Sequence, residues 1–295
     1  MTPANFDQLA LGLRDIEVIF CTWGMWNLSS AQLAAMPNLK TVFYAAGSVR
    51  HFAVPLLSRD ILVVSAWAAN AVPVAQWTVA QILLASKGFF RNTREFRAPQ
   101  HKATAFSGRG NLDATVSLLG AGQIGRRMVE LLRPFETRVL VFDPFLQREN
   151  AALLGVEKIE SLAEAFERGR VVYNHLANVP ATVGMLREQH FKAMPLDATF
   201  INTGRGATVR EEELLATLQS RPDLTALLDV TNPEPPRADS PLWTMPNVCL
   251  TSHIAGSIGD EVWRMADFVL EEFDLWRAGL PLRYSVTPAI LETMA

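Results

Sequence analysis

Cysteine is scarce in this chain. Its two cysteines among 295 residues, Cys21 and Cys249, both lie in apolar runs, with no Cys-x-x-Cys pair, no clustered His/Cys spacing and no His-Glu-x-x-His. That excludes a disulfide framework and a structural metal site, and it leaves the expectation of two buried free thiols in a reducing compartment. Net charge is nearly absent as well: 27 Lys+Arg against 30 Asp+Glu leave −3. Such a balance gives no electrostatic basis for binding nucleic acid or an anionic membrane. No run is expected to reach the roughly 18 uncharged apolar residues of a membrane span. The start, MTPANFDQLALGLRDIEV, lacks the basic residues and apolar block of a secretory signal. A soluble cytoplasmic protein is the resulting expectation. Apolar residues, by contrast, are plentiful at 49%, with 19% charged. This composition argues against disorder, and the length suits two domains better than one.

Apolar runs of strand length alternate with helical patterns almost throughout. IEVIF (16–20), TVFYA (41–45), ILVVS (61–65), ATVSLLG, RVLVFD, RVVYNHL, ATFINTG, TALLDV and NVCLTS read as strands. Between them, SSAQLAAM, VRHFAVPLL, VPVAQWTVAQILLASKGFF and residues 123–133, 161–168, 188–193 and 210–219 read as helices. Continuous Val/Leu/Ile strands separated by helices indicate a parallel sheet covered on both faces. The polar, basic, turn-rich segment 91–113 interrupts the rhythm and reads as the crossing between two domains. No internal repeat or low-complexity tract is present.

ATVSLLGAGQIGRRMVELL runs strand, glycine turn, helix, and Gly120, Gly122 and Gly125 fit G-x-G-x-x-G. The first glycine permits the tight turn, the second admits a pyrophosphate close to backbone, and the third lets helix pack on strand. The helix N-terminus, with Ala121, Gln123 and Ile124 in the same turn, offers free N–H groups to phosphates. The next strand ends at Asp143, 143 − 125 = 18 residues after the last glycine, where an acid accepts hydrogen bonds from an adenosine ribose. A carboxylate there repels a 2′-phosphate, so NAD is favoured over NADP. Three polar residues then follow three successive strands: Arg205 after ATFIN, Glu234 after ALLDV and His253 after NVCLT. On the carboxyl edge of an open α/β sheet these form a coherent catalytic set.

The ordered string GAGQIG, VFDP, INTGRGATV, LDVTNPEPP and NVCLTSHIAG resembles the NAD(P)-dependent D-isomer-specific 2-hydroxyacid dehydrogenases, over roughly residues 15 to 285. That family includes glyoxylate/hydroxypyruvate reductases, D-lactate dehydrogenases and phosphoglycerate dehydrogenases. The resemblance implies a Rossmann-type doubly wound cofactor domain over 99–282. It also implies a smaller flavodoxin-like α/β substrate domain over 1–98, with 283–295 returning to it. The implied reaction passes a hydride between NAD(H) and a small 2-keto or 2-hydroxy acid. Arg205 would clamp the substrate carboxylate, His253 would donate or accept the proton, and Glu234 would hold the imidazole and favour its charged form. Thr203, Gly204, Arg205, His253 and Gly256 would line the cofactor, as would His175, although Ala177 stands where the family has proline. Asp229 would face the nicotinamide amide rather than merely cap a turn. No metal is implied, and the partner implied is a second copy, in a homodimer built on the cofactor domain.

In the first domain, YAAGSVRHF matches the family's glycine-containing turn, with Ala46, Gly47 and Ser48 as backbone donors to the substrate carboxylate. Arg50 is either a substrate-side charge or a solvated helix residue. Trp23, Met25 and Trp26 either line the pocket or pack in a core or interface. His51, His101 and His190 have no such context. The segment lacks the basic residues that phosphoglycerate dehydrogenases carry for a phosphate, so a small or apolar-tailed 2-keto acid fits better. Gln76 and Ser252 depart from the family's usual Glu and Pro. Family members also carry an extra strand, helix and strand before residues 16–20, where about 15 residues stand here, too few for such a unit. Either the first domain has a reduced sheet or this start is internal to the true one; a reduced sheet would expose a strand edge, covered by residues 1–15, by 283–295 or by another subunit. A formate-dehydrogenase-like activity is weaker, because those relatives carry glutamine at the position of Glu234. A non-catalytic NAD-sensing corepressor of the same fold and a phosphoglycerate dehydrogenase-like enzyme are the alternatives.

Overall fold

The structure, a computed structural model, describes residues 1–294. Among the described residues ten strands form where Val, Ile, Leu and Phe cluster between turn residues, in two sheets whose named strands all pair in parallel. The chain divides into two compact units: residues 1–70 with 257 onward, and Ala71–Gly256.

The second unit holds β4 (Thr115–Leu119), β5 (Arg138–Phe142), β6 (Glu157–Ile159), β7 (Val171–Asn174), β8 (Thr199–Asn202), β9 (Thr225–Leu228) and β10 (Val248–Leu250), in spatial order β10-β9-β8-β7-β4-β5-β6. The order reverses between β4 and β7, and ligands bind at the carboxyl ends beside such a reversal. Side chains alternate between two cores. Val172, Phe200, Ala226 and Leu228 join one, while Val171, Tyr173, Ile201 and Leu227 join the other. This period of two explains why the strands read as continuous apolar runs. Burying each such side chain stabilises the unit by about 1.5–3 kcal/mol.

The first unit is smaller: β1 (Val18–Cys21), β2 (Thr41–Tyr44) and β3 (Leu62–Ser65) in the order β1-β2-β3. Its β3 edge is covered by the returning C-terminal segment. Val286 N donates to Val63 O at 2.7 Å, and Ser285 bridges Val64 antiparallel. The buried Glu272 fixes that return, accepting from Arg283 Nε at 2.7 Å, Arg283 N at 2.9 Å and Tyr284 N at 3.2 Å. Residues 1–15 add no strand. They form a short helix, Phe6–Leu9, whose Phe6 enters the core, and among the described residues no strand lies on the free β1 edge.

Four expectations are corrected. The units divide at Asn70/Ala71 and Gly256/Ser257, not at 98/99 and 282/283. Segment 91–113 is no crossing but an arm of the second unit. Arg91 pairs with Glu95 at 2.6 Å and Asp197 at 2.5 Å and lies over the Phe106 ring. Those ties, invisible in composition, hold its charges down. The helix Trp67–Ser86 is long and apolar enough to span a membrane by length and composition. Its Ala75, Val79 and Ile82 are packed in the second unit's core. Finally, Cys249 is exposed, because β10 is an edge strand, and Cys21 is half-buried. Burial pushes the Cys21 thiol up to about 12. The helix Glu261–Arg277 buries Met265 and Val269, four apart, and its many acidic and aromatic residues mask that apolar stripe in the sequence.

Candidate active site

At the end of β4 the glycine turn has three glycines with three local reasons. Gly120 sits at φ +105°, and a Cβ there would come within 2.8 Å of His175 O. A Cβ on Gly125 would overlap the Gly120 carbonyl. A Cβ on Gly122 would meet nothing within 4 Å, so the space over it is open. The amides of Gly122, Gln123, Ile124 and Gly125 have no acceptor among the described residues. An open cradle of N–H groups at a helix N-terminus fits a dinucleotide's diphosphate. Asp143 braces this turn: Oδ2 accepts from Ala121 N at 2.6 Å and Oδ1 from Phe145 N at 2.7 Å.

Arg205 lies just beyond β8. A Cβ on Gly206 would overlap the Thr231 carbonyl, so only glycine lets this loop lie against the segment that leads to Glu234. A Cβ on Gly204 would sit 3.2 Å from His175 Cα. The guanidinium donates from Nη1 to Gly204 O at 2.7 Å and is largely buried. Burial pulls its pKa down while the nearby Glu234 carboxylate opposes the shift. Thr203 Oγ1 meets the buried Tyr173 hydroxyl at 2.8 Å.

His253 Nδ1 lies 2.6 Å from Glu234 Oε1, with both side chains accessible. His253 occupies the left-handed region at φ +62°, uncommon outside glycine, and Asp229 holds its loop there. The buried Asp229 accepts at Oδ1 from Thr251 Oγ1 (2.6 Å) and Ile254 N (2.8 Å), and at Oδ2 from Ala255 N (3.0 Å). In this structure its carboxylate is thus engaged by the His253 loop on both oxygens. His175 stands where the two glycine-bearing turns meet. Its Nδ1 is buried without a partner, and burial, with Arg205 nearby, pulls its pKa down to about 3, so the ring is neutral. Gly256 closes the loop at the end of the second unit.

The structure therefore gathers Gly120–Gly125, Asp143, His175, Thr203–Arg205, Asp229, Glu234 and His253 on one unit. Ala46, Gly47 and Ser48 lie in the first unit, after β2. Their amides have no acceptor among the described residues, while the buried Ser65 hydroxyl reaches the carbonyls of Ala46 (3.0 Å) and Gly47 (2.5 Å). Arg50 donates to Leu291 O at 2.5 Å, and His51 is bonded to Met25 O at 2.8 Å. Met25 is buried, Trp26 is partly buried in the core and Trp23 is exposed. His101 Nδ1 accepts from Arg97 N at 3.3 Å and His190 Nδ1 from Arg187 N at 3.0 Å. Sequence reasoning missed Asn174, Thr208 and Thr251, polar residues whose roles are set by contacts across the fold. Only Gly206, in the quoted INTGRGATV, carried a signal.

The profile described as D-isomer specific 2-hydroxyacid dehydrogenase, NAD binding domain, matches residues 79–255. The chain is 27% identical over 261 residues to D-3-phosphoglycerate dehydrogenase of Archaeoglobus fulgidus, covering 88% of this chain and 49% of that protein. It is 31% identical over 225 residues to (S)-sulfolactate dehydrogenase of Chromohalobacter salexigens, covering 76% of this chain and 73% of that one. The chain spans about half the length of the curated phosphoglycerate dehydrogenases it matches. Among solved structures, apo D-mandelate dehydrogenase of Rhodotorula graminis superposes with a TM-score of 0.85 at 21% identity, over 97% of this chain and 88% of that one.

Proposed function

The chain belongs to the D-isomer-specific 2-hydroxyacid dehydrogenase family, and from that premise we propose that it reduces a small 2-keto acid with NADH, reversibly. The observation that carries the proposal is the 2.6 Å pair of His253 Nδ1 and Glu234 Oε1, presented on the same sheet edge as Arg205. With Nδ1 committed to the carboxylate, Nε2 is the atom left to exchange a proton with the substrate oxygen. Arg205 binds the substrate carboxylate and draws charge from the ketone. Bound NAD(H) supplies or takes the hydride. The amides of Gly122 to Gly125 hold its diphosphate, and Thr203, Gly204 and Gly256 flank it. Asp143, acidic where a 2′-phosphate would lie, supports NAD over NADP. Asp229 serves the reaction through the His253 loop it fixes.

In the first unit the amides of Ala46, Gly47 and Ser48 offer a second carboxylate cradle. Arg50 and His51 there are engaged with backbone carbonyls, which supports an uncharged substrate tail. The family resemblance supports a cytoplasmic homodimer built on the second unit; size-exclusion chromatography with light scattering showing a stable monomer would overturn the dimer. The function is tested by following NADH and NADPH oxidation with glyoxylate, hydroxypyruvate, pyruvate, phenylpyruvate and 3-phosphohydroxypyruvate. Turnover of an unphosphorylated acid with NADH is expected. No turnover with any acid would sink the dehydrogenase reading, a preference for NADPH would sink the role of Asp143, and a preference for the phosphorylated acid would sink the uncharged tail.

A further inference from the structure

Beneath Arg205 lies a buried chain of polar groups that the reaction scheme does not use. Asn174, at the end of β7, is fully buried, as are Asn202 and Thr208. One Asn174 Nδ2 hydrogen goes to Asn202 Oδ1 at 2.9 Å and the other to Thr208 Oγ1 at 2.8 Å. Its Oδ1 accepts from Leu176 N at 3.2 Å, so the whole amide is used. Thr208 passes the bond on, donating from Oγ1 to Arg205 O at 2.8 Å. Asn202 Oδ1 also accepts from Gly204 N at 3.2 Å. One side chain is thereby tied to the backbone on both sides of Arg205 and to the residue after His175.

We propose that Asn174 is a positioning residue: through Thr208 and Asn202 it fixes the Arg205 loop, and through Leu176 it fixes the turn carrying His175, so that substrate and cofactor contacts are set by one buried amide. The proposal rests on the reading of Arg205 as the carboxylate clamp. Its physical basis is that both strands end here. The ladder stops within a residue of Asn174 and Asn202, its last rung on this side being His175 N to Leu119 O at 2.9 Å, and a saturated buried network takes over from it. Each bond in the relay has its donor hydrogen and its acceptor assigned, Asn174 N–H to the Thr208 hydroxyl and the Thr208 O–H to the Arg205 carbonyl, so the loop has one satisfied arrangement.

The relay separates two effects. Thr208→Val keeps shape but removes the hydroxyl, cutting only the branch to Arg205. Asn174→Leu cuts both branches. Binding of oxamate, an unreactive 2-keto acid analogue, to the NADH complex and binding of NADH alone are measured by titration calorimetry, with circular dichroism confirming the fold. Thr208→Val should weaken oxamate at least about tenfold and leave NADH within about twofold, Thr208→Ser should restore oxamate, and Asn174→Leu should weaken both ligands. A folded Thr208→Val that binds oxamate as the wild type does, or a Thr208→Ser no better than Thr208→Val, overturns the proposal. The rate at which phenylglyoxal modifies Arg205, read by peptide mass spectrometry, needs no substrate. It should rise in Thr208→Val, and an unchanged rate also overturns the proposal. Wild type that binds no oxamate while the Arg205 rate still rises would place the failure in the dehydrogenase reading and not in the positioning.

Discussion

Two glycine-bearing turns at the carboxyl edge of one sheet handle their backbones in opposite ways. Among the described residues, the turn after β4 pairs none of the amides of Gly122 to Gly125 with an acceptor and keeps the space over Gly122 open. The loop after β8 ties down Gly204 N, Gly204 O and Arg205 O and packs Gly206 against the Thr231 carbonyl. A turn that binds through its amides must leave them vacant. A turn that binds through one side chain must immobilise everything else. The same residue type serves both ends, at Gly122 by leaving room and at Gly206 by tolerating contact.

Substitutions sharpen that contrast. The largest expected effect is Arg205→Ala: kcat/KM for the preferred 2-keto acid should fall about a thousand-fold, with the NADH dissociation constant little changed by titration calorimetry. An equal loss in both ligands would erase the distinction between the turns. Next is His253→Ala, expected to lower kcat about a hundred-fold with NADH binding retained; surviving turnover would remove the proton-transfer role. Gly206→Ala and Gly122→Ala should then fail in different ways. The first forces apart the Arg205 loop and the Thr231 segment and should lower thermal stability, by about 1–3 kcal/mol, along with turnover. The second should leave stability unchanged yet weaken NADH about tenfold or more, because a methyl group fills the cradle. Equal melting temperatures for the two variants would contradict this account.

An effect confined to acid pH comes from His175, against which both turns pack. Its folded-state pKa of about 3 lies below the ordinary 6.5, so the neutral ring is the stable buried form. Its stabilising contribution is complete above pH 6.5 and is lost as pH falls toward 3, by up to about 1.4 kcal/mol per unit. Urea unfolding of wild type and His175→Leu at pH 7, 5.5 and 4.5 reads this directly. The wild type should lose more stability on acidification, and parallel losses would refute the buried neutral imidazole.

The unequal legibility of the two turns has a physical cause. G-x-G-x-x-G, the acid at Asp143 and the strand-end placement of Arg205, Glu234 and His253 are local, because each is fixed by sequence distance from a strand. The supports are not local. Asn174 touches Thr208, 34 residues away, and Asp229 touches Ala255, 26 away. The arm at 91–113 looked like a linker because its charges are partnered only in space, Arg91 with Asp197. Cys249 read as buried because an edge strand and a central strand look alike in a short apolar run.

The covering of β3 by the returning segment also sets a schedule for biosynthesis. The second unit is one uninterrupted stretch, Ala71–Gly256, whereas the first is made in two instalments. Ser285, which bridges Val64, leaves the ribosome 285 − 64 = 221 residues after it. Translation therefore delivers a whole cofactor module while the earlier three-stranded sheet still has a bare edge, open to strand-pairing neighbours. The segment around Ser285, made that much later, is what closes the β3 edge.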